Sequence, residues 1–194
     1  LPIGSLPSLF RREISEFPIH EGYLHADPDR IAFWKARLDD LGTDLKVGIS
    51  WQGGTKKSRT NLRSIPLIEW LPILKLKNIS FINLQYTDCQ EELSQLKEQY
   101  GISVVHWQEA IDDYDETAAL VSALDLVVSV QTAIIHLGGA LGKPVWVMVP
   151  VCPEWRYFDE GSKMPWYPSI RIFRQNNFQY WGDIIDEVAQ QLQN

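Results

Sequence analysis

Cysteine is scarce in this chain of 194 residues: Cys89 and Cys152 are the only two, far apart and without metal-ligand spacing. A disulfide framework is therefore not expected, and a reducing cytoplasm is the compartment this usage suits. No window approaches the apolar length of a transmembrane helix, so no integral membrane segment is expected. Basic charge is sparse as well. The formal net charge is −7, and the one basic cluster is Lys56, Lys57, Arg59 and Arg63. A nucleic-acid partner, whose phosphates call for a basic face, is not expected. Neither a Walker A loop nor GxGxxG spacing occurs, which argues against a nucleoside triphosphatase or a nicotinamide enzyme. The sequence offers no serine or cysteine nucleophile with a neighbouring histidine and acid, and no His/Asp/Glu cluster with metal spacing. Internal repeats and low-complexity tracts are absent. Leu1 opens the chain with neither a signal peptide nor an initiator methionine, so a piece of a longer protein is expected.

What is present is an ordinary globular composition, 45% hydrophobic and 22% charged, at a length suited to one principal α/β domain. Residues 1–28 hold Pro2, Gly4, Pro7, Pro18, Gly22 and Pro28 with little periodicity, the pattern of an irregular arm. Asp27 or Asp29 can cap a following helix that carries Ile31, Trp34 and Leu38 at helical spacing. We accordingly divide the chain into an arm and amphipathic helix, 1–44, and a Rossmann-like domain, 45–194. In the latter, strands are expected at Leu45–Trp51, Ile79–Leu84, Ser103–Trp107, Leu126–Val130, Val145–Val149 and Ile170–Phe173. Helices are expected at about Pro66–Lys75, Cys89–Tyr100, Asp115–Leu124, Thr132–Leu141 and Trp181–Leu192. The alternation predicts a three-layer α/β/α sandwich around a mainly parallel sheet of about six strands, with ligands outside the strands' carboxyl ends.

Several candidate ligand residues fall at those ends. The run DLVVSVQTAIIHLGGALGKPVWVMVP, 125–150, reads as strand, helix and strand, and its helix starts abruptly at Thr132. Unpaired N–H groups at Thr132, Ala133 and Ile134 face the positive end of the helix dipole and suit an anion, with the Thr132 hydroxyl as cap or ligand. Gly138 and Gly139 allow this helix to pack closely. His136, one turn in, either points back at the anion or is satisfied within the helix–sheet contact. After the first strand, the loop SWQGGT brings Trp51 and Gly53, and a glycine there permits close backbone approach. Arg63 precedes Pro66 and either pairs with a diphosphate through its planar fork or lies in solvent. Gln85 and Tyr86 end the second strand, and Trp107 and Gln108 follow the third. Each can contact a base or sugar, or simply pack.

Three segments together resemble the carboxyl-terminal half of GT-B glycosyltransferases, in particular the heptosyltransferase-like group and related domains linked to tetratricopeptide repeats. They are VGISWQGG with NLRSIPL, then DDYDETAALVSALDLVVSVQTAIIHLGGALGKPVWVMVP, and PEWRYF with PWYPSIRIFRQ. SLPSLF near the start is similar to the segment joining the two lobes. The resemblance implies one lobe of a GT-B fold that holds a nucleotide-diphosphate sugar as donor substrate and needs no further cofactor. The partner amino-terminal lobe would supply the site for an acceptor hydroxyl and the general base, so this lobe alone would be inactive. Arg63 then stabilises the leaving diphosphate, and Thr132, Ala133 and His136 belong to the phosphate-binding helix start. Trp51, Gly53, Gln85 and Gln131 complete the substrate wall. Gln131 stands where the heptosyltransferase pattern has an aspartate addressing the transferred sugar; its amide can still bond a hydroxyl but has lost the charge. The alternative is an inactive nucleotide-binding or scaffold module beside a repeat array. A flavodoxin-like or phosphatase-type domain would need a cofactor or nucleophile site that the sequence does not offer.

Overall fold

Runs of five or six residues, too short for stable helices and rich in valine and isoleucine, form the strands. The computed structural model describes residues 2–42, 44–54, 60–178 and 180–193. Its sheet has five strands: β1 (Leu45–Ser50), β2 (Ile79–Asn83), β3 (Leu126–Val130), β4 (Val145–Val149) and β5 (Ile170–Arg174). These five strands pair with one another in parallel, in the order β2-β1-β3-β4-β5. The expected strand at Ser103–Trp107 contributes a single bridge, Val105 beside Ile82. Val105 accepts from Asn83 N–H and donates to Phe81 O, both at 2.8 Å, and the pairing stops there because Trp107 already caps the short helix Gln108–Asp112.

The longer helices are α1 (Pro28–Asp39), α2 (Gln90–Tyr100), α3 (Tyr114–Ala123), α4 (Ala133–Ala140) and α5 (Gly182–Leu192). Pro66 does not start one long helix. It precedes a 3-10 turn, Leu67–Trp70, followed by one α turn, Leu71–Leu74. Pro72 within that turn removes a backbone donor, which accounts for the shortened segment.

Strand alternation sorts the core into two layers. Val47, Ile49, Trp51, Val128 and Val130 face Trp70, Ile73 and the apolar face of α5. Val127, Val145 and Val147 face Leu120, Val121, Ile135 and Leu137 of α3 and α4. Both sheet faces are covered, so the molecule is the α/β/α sandwich that the alternation predicts.

Asp27, not Asp29, caps α1, accepting from Asp29 N at 2.8 Å and Arg30 N at 3.2 Å. From α1, the wholly buried Trp34 donates its indole N–H to Glu116 on α3 at 2.7 Å, and Arg30 forks onto the same carboxylate. The arm ahead of α1 is fastened to the far end of α4. Tyr23 and Leu24 N–H groups both donate to Ala140 O, at 2.7 and 2.9 Å, satisfying a carbonyl that the helix end leaves open. Gly142, at φ +72°, makes that approach possible, because a Cβ there would collide with Glu21 O.

Candidate functional site

The strand order reverses between β1 and β3, and in parallel sheets the crevice at such a switch point is where ligands bind. A cavity of about 540 Å³ opens there, at the strands' carboxyl ends. Of the residues picked from sequence, Arg63, Tyr86, Gln131, Thr132, Ala133 and His136 line it together. Lys56, Lys57 and Arg59 lie outside the described residues.

The loop after β1 folds back on itself. Ile65 N–H donates to Trp51 O at 3.0 Å, and Gly53 N–H donates to the Ser64 hydroxyl at 3.1 Å. That return brings Arg63, at the end of the one-turn helix Thr60–Arg63, over the cavity. Its side chain is only 12% exposed and pairs with Glu154, so the solvent-exposed alternative does not hold.

Trp51 and Gln85 shape the site from behind and do not line it. Trp51 continues the Val47–Ile49 parity into the core, wholly buried, with its indole N–H 3.2 Å from Glu92. Gln85 is also buried. Its Oε1 accepts from Ser50 Oγ, Trp51 N and Gln52 N, while Nε2 donates to Gln52 O and Thr87 Oγ1. With its amide committed to β1, Gln85 has no group left for a ligand. Gly53 supplies close approach: a Cβ there would lie 2.4 Å from Gln131 O.

Opposite Arg63 begins α4. Ile135 N–H closes its first turn onto Thr132 O, and the N–H groups before it have no intrahelical acceptor. Thr132 is the cap residue by position, but its side chain makes no capping bond; its hydroxyl is 3.2 Å from Ser129 Oγ. Gly138 packs toward Val145 of the sheet, and Gly139 packs against the Tyr167 ring. Gln131 is 4% exposed, and among the described residues neither its Oε1 nor its Nε2 has a partner. Leaving both ends of a buried amide unpaired costs about 1–3 kcal/mol per group, so the position favours a polar ligand.

His136 is partly buried between the rings of Tyr157 and Tyr167. Burial first, and Arg156 second, push its pKa below the usual 6.5, with Glu154 opposing. In the window below about pH 6.5 an unfolded chain takes up a proton that the folded imidazole resists, so stability falls as pH falls until the folded pKa is passed. We expect His136→Asn to flatten the pH dependence of unfolding free energy between about pH 7 and 5. Urea titrations across that range measure it, and an unaltered slope would remove His136 as the cause.

Sequence reasoning missed the wall built after β4. Glu154, Trp155, Arg156 and Tyr157 line the cavity from the 3-10 turn Trp155–Tyr157, and Trp166 and Tyr167 close it. Arg174, at the end of β5, secures that turn by donating to the carbonyls of Tyr157, Phe158, Glu160 and Gly161. The arm supports it from outside: Phe17 packs edge-on against Trp166 with centroids 4.7 Å apart, and His20 Nε2 is 3.1 Å from Trp166 O. Burial raises the phenol pKa of Tyr157, and burial with the Tyr23 hydrogen bond raises that of Tyr167, so both rings stay neutral. Glu154 joins the two arginines, bonding Arg63 through Oε1 and Arg156 through Oε2, the latter at 2.6 Å. Among the described residues, the cavity lining thus carries two guanidinium groups and one carboxylate. The signal in the sequence was PEWRYF, whose charges carried no local rule for where they would point.

Solved structures show what this arrangement is similar to. An ADP-heptose lps heptosyltransferase II from E. coli superposes with a TM-score of 0.59 at 12% identity, over 95% of this chain and 59% of that one. A glycosyl transferase family 9 protein from Veillonella parvula gives 0.59 at 11%, over 91% and 47%. The E. coli heptosyltransferase WaaC with ADP gives 0.51 at 17%, over 84% and 47%. The fold is that of these glycosyltransferases. No protein-family model matches the chain. Among curated proteins, Protein FlbA of Caulobacter vibrioides is 37% identical over 193 residues, which is 97% of this chain and 32% of FlbA. The chain thus spans about a third of that relative's length and about half of the solved glycosyltransferase chains. Within the glycosyltransferase fold, among the described residues, no group of three or more His, Cys, Asp or Glu side chains is placed to hold a metal. Nor, among them, is any helix long and apolar enough to cross a membrane.

Proposed function

We propose that this chain is the donor-binding lobe of a glycosyltransferase and that the cavity holds a nucleotide-diphosphate sugar. The observation that carries the reading is the convergence, in one crevice, of a largely enclosed arginine, a helix N-terminus and an unpaired buried amide. Arg63 and the N–H groups at Thr132 and Ala133 take the diphosphate, Gln131 takes a hydroxyl of the sugar, and the aromatic wall takes apolar surface. In the full protein, an acceptor hydroxyl attacks the anomeric carbon while the bond to the diphosphate oxygen breaks. The electron pair leaves with the diphosphate, and the hydroxyl proton passes to a base on a second lobe. Arg63 and the helix N-terminus neutralise the departing charge, so the step as proposed needs no metal. Residues 1–44 join the lobes, tetratricopeptide repeats accompany them in the longer protein, and the cytoplasm is its compartment.

A second reading, a module that keeps the fold without turnover, draws support from Gln131 in place of the patterned aspartate. Calorimetry with a panel of nucleotide-diphosphate sugars tests the first reading: binding of at least one is expected, and none bound would end it. Transfer or hydrolysis by the full-length protein separates enzyme from scaffold.

A further inference from the structure

Among the described residues, Glu154 is the one carboxylate on the cavity wall, and it lies between the guanidinium groups of Arg63 and Arg156. We propose that Glu154 is the internal counter-anion of this site: its carboxylate holds the fork of Arg63 and Arg156 while the cavity is empty, and an incoming diphosphate displaces it.

The inference builds on the reading of the cavity as a diphosphate site and adds how that site limits its own affinity. Each carboxylate oxygen addresses a different arginine, an arrangement that a phosphate, with oxygens disposed to bond two guanidinium groups at once, can reproduce. Glu154 is supplied by a loop and is about one-third exposed, so it has room to swing out, whereas Arg63 is largely enclosed. Near these arginines Glu154 opposes any bound anion, and that opposition grows with the ligand's charge. A nucleoside diphosphate carries one more ionisable oxygen than the nucleotide sugar from which it derives. The displaced carboxylate therefore weakens the product more than the substrate, which favours release after transfer. Without Glu154 the arginines would hold the product more firmly, and turnover would slow at that step.

The test uses Glu154→Gln in the full-length protein, which keeps the side chain's shape and removes its charge. Inorganic pyrophosphate is the probe, titrated by calorimetry. We expect affinity about tenfold tighter than in the unmodified protein, as follows from removing one competing carboxylate from between two guanidinium groups. We also expect a nucleoside diphosphate to gain more than its nucleotide sugar does. A purely structural role for Glu154 predicts the opposite sign, because a disordered arginine fork binds anions less well. Unchanged, weaker or absent pyrophosphate binding in the variant overturns the proposal. Should the variant not fold, the carboxyl carbon resonance of Glu154 in the unmodified protein gives the answer: saturation with pyrophosphate must shift it, and a static signal overturns the proposal. The two readings fail separately. Tighter pyrophosphate binding with no nucleotide sugar bound leaves the counter-anion in place and removes the donor assignment, and bound nucleotide sugar with unaltered pyrophosphate affinity does the reverse.

Discussion

Arg63→Ala is expected to weaken binding of a nucleotide-diphosphate sugar by about 10- to 100-fold, the equivalent of one charge-assisted, largely desolvated hydrogen-bonding pair. The magnitude follows from placement. The Arg63 side chain is only 12% exposed and faces the start of α4 across the cavity, where its charge is poorly screened by water. The fold should survive the change. Glu154 keeps its bond to Arg156 at 2.6 Å and is itself partly exposed, so its carboxylate is not left buried and unpaired when Arg63 is removed. Arg63→Lys discriminates further: it retains the charge but not the planar fork, so an intermediate affinity is expected. Calorimetry on the three proteins, with a thermal melt as control, decides it. Unchanged affinity and turnover in Arg63→Ala would remove the diphosphate from this wall.

The unit from β3 through α4 to β4 was legible almost to the residue, because strands covered on both faces must be apolar throughout and the helix between them has glycine only at its closing turns. Pattern also placed Arg63, Gln131, Thr132, Ala133 and His136 around one opening, since position at a strand's carboxyl end is enough to find a switch-point crevice. Side-chain direction was harder. Trp51 has the parity of Val47 and Ile49, and that parity sends it into the core; a reading from proximity alone assigned it to the ligand. Gln85 shows the same limit. Whether its amide is free depends on Ser50, Trp51 and Gln52, more than thirty residues earlier. Val105 belongs to an apolar run, yet a strand needs an edge with room for continued pairing, and the turn into Gln108–Asp112 ends it after one bridge. Glu154 lay furthest from reach: its partner Arg63 is 91 residues away, and no periodicity links a turn after β4 to a loop after β1.

Gly53→Ala should affect the site more broadly than any charge change, because it acts on the backbone that holds the two halves of the crevice together. A Cβ at residue 53 would fall 2.4 Å from Gln131 O and 3.4 Å from Arg63 O. The first distance is below any van der Waals contact, and the atom met is main chain, not the end of a flexible side chain. Relief must therefore come from separating the β1 loop from the β3 exit. Overpacking of this kind costs about 1–3 kcal/mol in stability. The same displacement moves Gln131, and with it the start of α4, away from Arg63. The cation and the helix N–H groups then no longer converge on one diphosphate, and a misplacement of about 1 Å is enough to cost on the order of 100-fold in binding or rate. The expected signature is a melting temperature lowered but still cooperative, together with loss of nucleotide-sugar binding that outlasts restoration of stability by an osmolyte. Retained affinity in Gly53→Ala would mean that the ligand does not bridge the β1 and β3 loops. A loss fully reversed by the osmolyte would mean that the glycine serves stability alone.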